Sequence, residues 1–513
     1  MACLALATIL VSSPFAIKGI GAGGGKGRIS PNVIEGFEAN SPEEGVSGAV
    51  ISGGGRPAFP NRVMGDFGSV GGGDGNIAGD RAVVAGGSNN TAIGFRAIVG
   101  GGSNNSARFE HATVAGGTSN IAGATRTTVS GGCSNTAGGI DATVGGGSGN
   151  IAGDTHATVS GGTKNKANNL DTTIGGGSGN TASGSYATVS GGSNNTAGGF
   201  GATVSGGSGN SVKGSNGTTG GGLGNRVSSN YSTVAGGLGN IAGTSDGDRS
   251  DSRYAAVGGG RDNIADGFGS SVGGGAQNHA GGVFSMVPGG FSNFALGDYA
   301  FAAGRRATVD ATHKGVFLFA DSNDFDFAST KADEFAARAT GGVRLITAID
   351  ADGNPIAGVQ LTPGSSSWAF LCDRDSRTNF APVDGRKILD RLVTLPVGCW
   401  NYKGGDRSIQ HIGPSAQDFY AAFNIGENDR SINMMDIEGV ALAAIQGLYQ
   451  TLREKEVQIT SLQRKIDLLK TENTVQRQQI AGLESRFTTL EATVYANSSE
   501  RHRDGQILNC KSN

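Results

Sequence analysis

A fifteen-residue phrase governs more than half of this chain. One copy reads V-S-G-G-S-N-N-T-A-G-G-F-G-A-T from Val189, and Val204 begins the next. A branched apolar residue holds the same slot at Val84, Val99, Val114, Val129, Val144, Val159, Ile174, Val189, Val204 and Val234. Six residues after each stands an asparagine, from Asn90 and Asn105 through Asn195, Asn210 and Asn240. Two further on is a small apolar residue such as Ala92, Ala107 or Ala122. A fixed period of this kind describes a stacked solenoid, in which each repeat covers the apolar face of its neighbour.

Composition narrows the kind of solenoid. Glycine is 93 of 513 residues and proline only 11, which excludes the Gly-X-Y pattern of collagen. Aromatics are 6% and hydrophobics 36%, too few large side chains for an ordinary globular core. Each repeat holds two short apolar segments, A-T-V-S and the one around T-A, separated by turn clusters. Glycine and asparagine are expected to supply the positive φ values of tight corners. The expectation is a mainly β N-terminal half, a parallel β-roll or β-helix. About fifteen turns at roughly 4.8 Å each would give a rod on the order of 70 Å long. Val and Ala alone fill little interior, so a small-residue face is expected to pack on other chains.

Weak repeats begin near Val33, and the regular array runs from Val70 to about Gly304. The insertion Ser245–Ser252 lengthens one turn, after which the phase resumes at Val257, Val272 and Val287, as for a loop bulging from one corner. Residues 305–365 read as a small β connector, with strand-like runs at 315–322 and 342–350 and a turn at Asp350–Pro355. Residues 366–440 are mixed, with helical spacing at 385–396, stopped by Pro396, and at 415–423.

Residues 441–495 form a heptad helix. Its a and d positions are Leu452, Lys455, Ile459, Leu462, Ile466, Leu469, Asn473, Gln476, Ile480, Leu483, Phe487, Leu490 and Val494. The pattern predicts a coiled coil with a polar layer at Asn473 and Gln476. Ile at a with Leu at d favours two strands. Residues 496–513 read as a polar tail.

The first residues, 1–16, read as a secretory signal with an apolar core, or as a truncated start or buried strand; 17–32 is a Gly-rich leader. No apolar stretch beyond them is long enough for a membrane span, so no transmembrane anchor is expected. Net charge is −3, which gives no reason to expect nucleic acid as a partner. Cys3, Cys133, Cys372, Cys399 and Cys510 show neither metal-ligand nor paired spacing, and no cofactor or metal is expected. Gly19–Gly24 formally fits G-x-G-x-x-G, but no strand–helix unit surrounds it. Gly25-Lys26 is followed by Gly27, so it is no phosphate loop.

The residues carry two resemblances. The repeat V-x-G-G-x-x-N-x-A-x-G over 33–304 resembles the head repeats of trimeric autotransporter adhesins, which implies a trimeric β-roll. Residues 366–495 resemble the C-terminal intramolecular chaperone of phage tailspikes and endosialidases, a self-cleaving serine peptidase family. The matching text is S-S-S-W-A-F-L-C-D-R-D-S-R-T-N-F-A-P-V-D-G-R-K-I-L-D-R-L, then W-N-Y-K at 400–403, H-I-G-P-S-A-Q-D-F at 411–419 and G-V-A-L-A-A-I-Q-G-L at 439–448. That resemblance implies a small α+β domain with a long terminal coil, which assembles three chains and then cuts itself off before a serine.

The chain departs from the family at that serine. Cys372 stands in its place, followed by Asp373, and Arg377 stands where the family has lysine. Cysteine can act as a nucleophile. Arginine cannot accept a proton, although it can lower a thiol pKa electrostatically. Ser376 is out of register to replace the lost serine. If cleavage occurs, the bond is Leu371–Cys372; otherwise Cys372 is packed in a chaperone that stays attached. His411 lies in the segment resembling the second functional motif, as a functional or a structural histidine. The sequence therefore points to a homotrimeric secreted or surface fibre with an unidentified surface ligand. An active self-cleaving endopeptidase and a phage tail fibre are the alternatives.

Overall fold

In the computed structural model the described residues are 30–244 and 251–504, the helix from residue 500 onward by backbone alone. The expected signal segment, most of the leader, most of the 245–252 insertion, Cys3, Cys510 and the end of the polar tail lie outside them. The chain divides into two compact units, Met1–Leu371 and Cys372–Asn513.

Within the first unit, each repeat folds as one coil carrying two short strands. In one coil these are Thr188–Val189 and Thr196–Ala197. Thr188–Val189 pairs in parallel with Thr173–Ile174 and Thr203–Val204. Thr196–Ala197 pairs likewise with Thr181–Ala182 and Ser211–Val212. Single bridges such as Ser178 to Ser193 to Ser208 add a third line of pairing. The pairing offset equals the sequence repeat, so identical slots stack and β-branched residues fall on pleated positions that suit them.

The solenoid runs for about 20 turns between residues 33 and 338. It therefore continues past Gly304: strands Phe301–Arg305, Phe317–Ala320 and Phe335–Arg338 pair in parallel in the same sheet. Here larger residues replace the Gly-Ser phrase, which conceals the period. Beyond the last coil lies an antiparallel three-stranded sheet of Val343–Ile349, Pro355–Leu361 and Ala369–Phe370.

The interior is complete within one chain, contrary to the expected shortage of core. Val99, Val114, Val129, Val144, Val159, Val189 and Val204 are wholly buried, as are Ala97, Ala107, Ala112 and Ala122. The periodic asparagines fill the remaining space. Asn90, Asn105, Asn120, Asn135 and Asn150 are buried between coils rather than standing at corners. Outside the glycines, positive φ in the repeats falls on the residue before each, such as Asn89 and Asn104, or on residues of the opposite corner, such as Arg96 and Tyr186.

Each buried asparagine spans three coils by hydrogen bonds. The Oδ1 of Asn150 accepts from the backbone N–H of Asn165 at 3.0 Å, while its own N–H donates to Asn135 Oδ1 at 2.9 Å. Its Nδ2 donates to the carbonyls of Gly146 at 2.7 Å and Gly162 at 2.8 Å. The ladder runs from Asn40 to Asn293, which accepts from the N–H of Ala307. Glycine is required beside it: Gly147 has φ +86°, and a Cβ there would collide with the carbonyl oxygen of Gly162.

One coil departs from the apolar slot. Thr219 occupies the valine position, is fully buried, and its Oγ1 has no partner among the described residues. A buried hydroxyl without a partner costs about 1–3 kcal/mol. Thr219→Val is therefore expected to raise the unfolding free energy by about 1–2 kcal/mol, measured as a higher denaturation midpoint.

In the second unit, helix α1 spans Gly385–Thr394, helix α2 Ala416–Phe423 and helix α3 Met434–Asp504. Asp384 caps α1 by accepting from the N–H groups of Arg386 and Lys387, and α1 ends just before Pro396. Ser415 caps α2, and its hydroxyl donates to Asp418 at 2.6 Å. Leu395, Phe419, Phe423 and Val440 form a small core joined by Ile388 and Leu392. A hairpin of Gly398–Trp400 and His411–Gly413 lies between α1 and α2 in sequence.

Candidate functional site

The residues around the expected junction fall at the boundary of the two units, between Leu371 and Cys372. Leu371 ends the strand segment, its N–H donating to the carbonyl of Gly358 at 3.0 Å. From Cys372 the chain turns tightly. Asp373 accepts from the N–H of Asp375 at 3.0 Å, and the Ser376 hydroxyl donates to the Asp373 carbonyl at 2.8 Å. The N–H of Arg377 donates to the Arg374 carbonyl at 3.1 Å. This turn carries Arg377 back onto the cysteine: its Nη2 lies 2.7 Å from Cys372 Sγ.

The pair has a defined chemical capacity. Cys372 is exposed, and the Arg377 guanidinium lies against its sulfur. The same guanidinium has no lone pair with which to take a proton. Asp373 holds the turn through hydrogen bonds and so positions Arg377.

His411 stands in different surroundings. It pairs with Trp400 across the hairpin and stacks on that indole, with ring centroids 4.7 Å apart. Tyr402 meets the imidazole edge-on at 5.3 Å. Asn401 steadies the intervening loop by donating to the carbonyl of Arg407 at 3.2 Å. Among the described residues no hydrogen bond links His411 to Cys372 or Arg377. The structure thus brings Cys372, Asp373 and Arg377 into one turn, and places His411 in an aromatic cluster whose other members were not singled out from sequence. The signal for them was present in the W-N-Y-K text, but their convergence needed the hairpin register.

Helix α3 presents the third element. Its heptad residues are exposed within one chain: Leu452, Ile459, Leu462, Ile466, Leu469, Ile480, Leu483, Phe487 and Leu490, with Ile459 64% exposed. Asn473 and Gln476 are exposed in the same stripe. The face that meets the small core is another one, carrying Val440 and Ala444. There α1 crosses α3 at a glycine pair. A Cβ on Gly447 would collide with the carbonyl of Gly385, and Arg386 pairs with Glu454 one step along. Gly447→Val is expected to separate α1 from α3 and lower the stability of this unit by about 2–3 kcal/mol, measured by chemical denaturation.

Residues 372–424 match the peptidase family described as the chaperone of endosialidase. The match opens on Cys372, the residue at which the second compact unit begins. None of the curated proteins compared matches the chain. The domain supports a trimer-assembly role for the C-terminal unit of a tail-fibre-like chain, and so implies self-association. No helix among the described residues is long and apolar enough to cross a membrane.

Proposed function

We propose that this chain is the subunit of a trimeric surface or secreted fibre, adhesin-like in its repeats, whose C-terminal unit sets three copies in phase. The observation that carries the reading is the long heptad stripe of α3, left exposed in a chain whose solenoid interior is already filled. A helix with such a stripe reaches a stable state by burying it against copies of itself. The repetitive solenoid offers many near-equivalent alignments between copies, since every coil resembles the next. A strong C-terminal seam removes that ambiguity by fixing one alignment before the shafts meet. A virion tail fibre uses the same physics and differs in where the fibre is displayed.

In this reading the C-terminal unit stays attached. Cys372 offers a nucleophile, but Arg377 cannot serve as its base and His411 is engaged with Trp400 and Tyr402. The competing reading is self-cleavage at Leu371–Cys372, favoured by the coincidence of that bond with the unit boundary. Denaturing mass measurement on the purified chain separates the two. A single mass for the chain from the shaft through α3 is expected. Fragments meeting between Leu371 and Cys372 would establish the peptidase reading instead.

A further inference from the structure

The three-stranded sheet that follows the solenoid in sequence carries a row of apolar side chains on one face, none of them fully buried. The strand register puts Val343 opposite Leu361, and Leu345 opposite Val359, which in turn faces Phe370. Because side chains alternate across a sheet, these five residues share one face. The other face is mixed: Arg344, Gln360 and Ala369 form one cross-strand row, and Ile346 opposite Gly358 forms the next. Leu345 is 55% exposed, and Val343, Val359, Leu361 and Phe370 are half-buried. Neither hydrophobic core of the described residues includes any of them.

A small sheet with one apolar face is not stable until that face is packed against another layer. The core of its own unit does not extend to this face among the described residues. We infer that a second copy of this chain covers it, the apolar faces of the copies packing on one another to form an interchain core. This rests on the self-assembly reading above and extends it to a second interface outside the helix. Two features select a copy over an unrelated partner. The face is uncharged, so identical surfaces meet without repulsion. The sheet also joins the assembly unit directly at Leu371–Cys372, so copies held by that unit meet at high effective concentration.

The test is cysteine cross-linking in the full chain, with the five native cysteines replaced by alanine. Leu345→Cys places a thiol on the apolar face, Arg344→Cys on the opposite face, and Ile466→Cys in the helix stripe. Under mild oxidation Leu345→Cys is expected to give covalent multimers in at least about tenfold higher yield than Arg344→Cys, with Ile466→Cys also cross-linking. Cross-linking through Ile466→Cys alone would overturn the inference and leave the assembly reading standing. Equal yields from Leu345→Cys and Arg344→Cys would also overturn it. Cross-linking through Leu345→Cys alone would support the inference and remove the helix stripe as the seam. No cross-linking at any position would refute both.

Discussion

Asn150→Leu is expected to lower the stability of the solenoid by about 2–4 kcal/mol, although leucine is apolar, similar in size and placed in a buried slot. The reason is the ladder. Removing the carboxamide leaves the N–H of Asn165 without an acceptor, in a position closed to water. It also removes the two donations to Gly146 and Gly162. The Gly162 carbonyl keeps one bond, from the N–H of Ser148, so the largest single loss is the orphaned Asn165 N–H. Since each coil contacts only its neighbours, the damage is local, and the stack should become less cooperative as well as weaker. Denaturant unfolding followed by circular dichroism reads both effects. A change below about 0.5 kcal/mol would mean that the ladder contributes little, the usual result at an unconstrained surface position.

Asn150→Asp sharpens the same test. An ionised carboxylate keeps the acceptor for Asn165 but turns its other oxygen toward two carbonyls. Burial and those carbonyls raise the folded-state pKa above its unfolded value. The stability of this variant should be greatest below the unfolded carboxyl pKa and fall as pH rises through the raised folded value. Wild-type asparagine has no such dependence at that position.

The second large effect is on assembly. Ile459→Asp combined with Ile466→Asp is expected to leave each chain folded, because both side chains are exposed within one copy. It should weaken self-association by at least about 100-fold, since burying two such residues is worth on the order of 3 kcal/mol per chain. Sedimentation of the variant against the unaltered chain measures this. An unchanged assembly state would move the seam elsewhere in the molecule.

The sequence and the structure agree most closely where a residue type repeats in a slot that one environment explains. Val99 and its equivalents read as interior and are interior, because branched apolar residues at a fixed period have no other place to go. Asparagine was harder. It favours corners by local conformation and buried ladders by its paired donor and acceptor, and the period alone does not distinguish the two. Its strict recurrence, beside corner residues that vary among Asn, Ser, Lys and Gly, was the available signal. The expected shortage of core came from counting Val and Ala alone as interior, whereas the buried asparagines also fill it.

At the candidate site, helices α1 and α2 were legible from their helical spacing and, for α1, from the stop at Pro396; the caps Asp384 and Ser415 were added by the structure. The contact between Arg377 and Cys372 depends on the turn held by Asp373, and was visible only as a spacing. The stacking of His411 on Trp400 depends on hairpin register, which a lone sequence does not specify. The apolar face at Leu345 was hidden for the same reason, since its five residues come from three strands.

The most direct measurement is the native mass of the full chain in dilute solution. The account predicts a single species of three copies, even though Ile at a with Leu at d favours two strands in isolated coils. A species of one copy would contradict self-assembly, and one of two copies would contradict the threefold fibre.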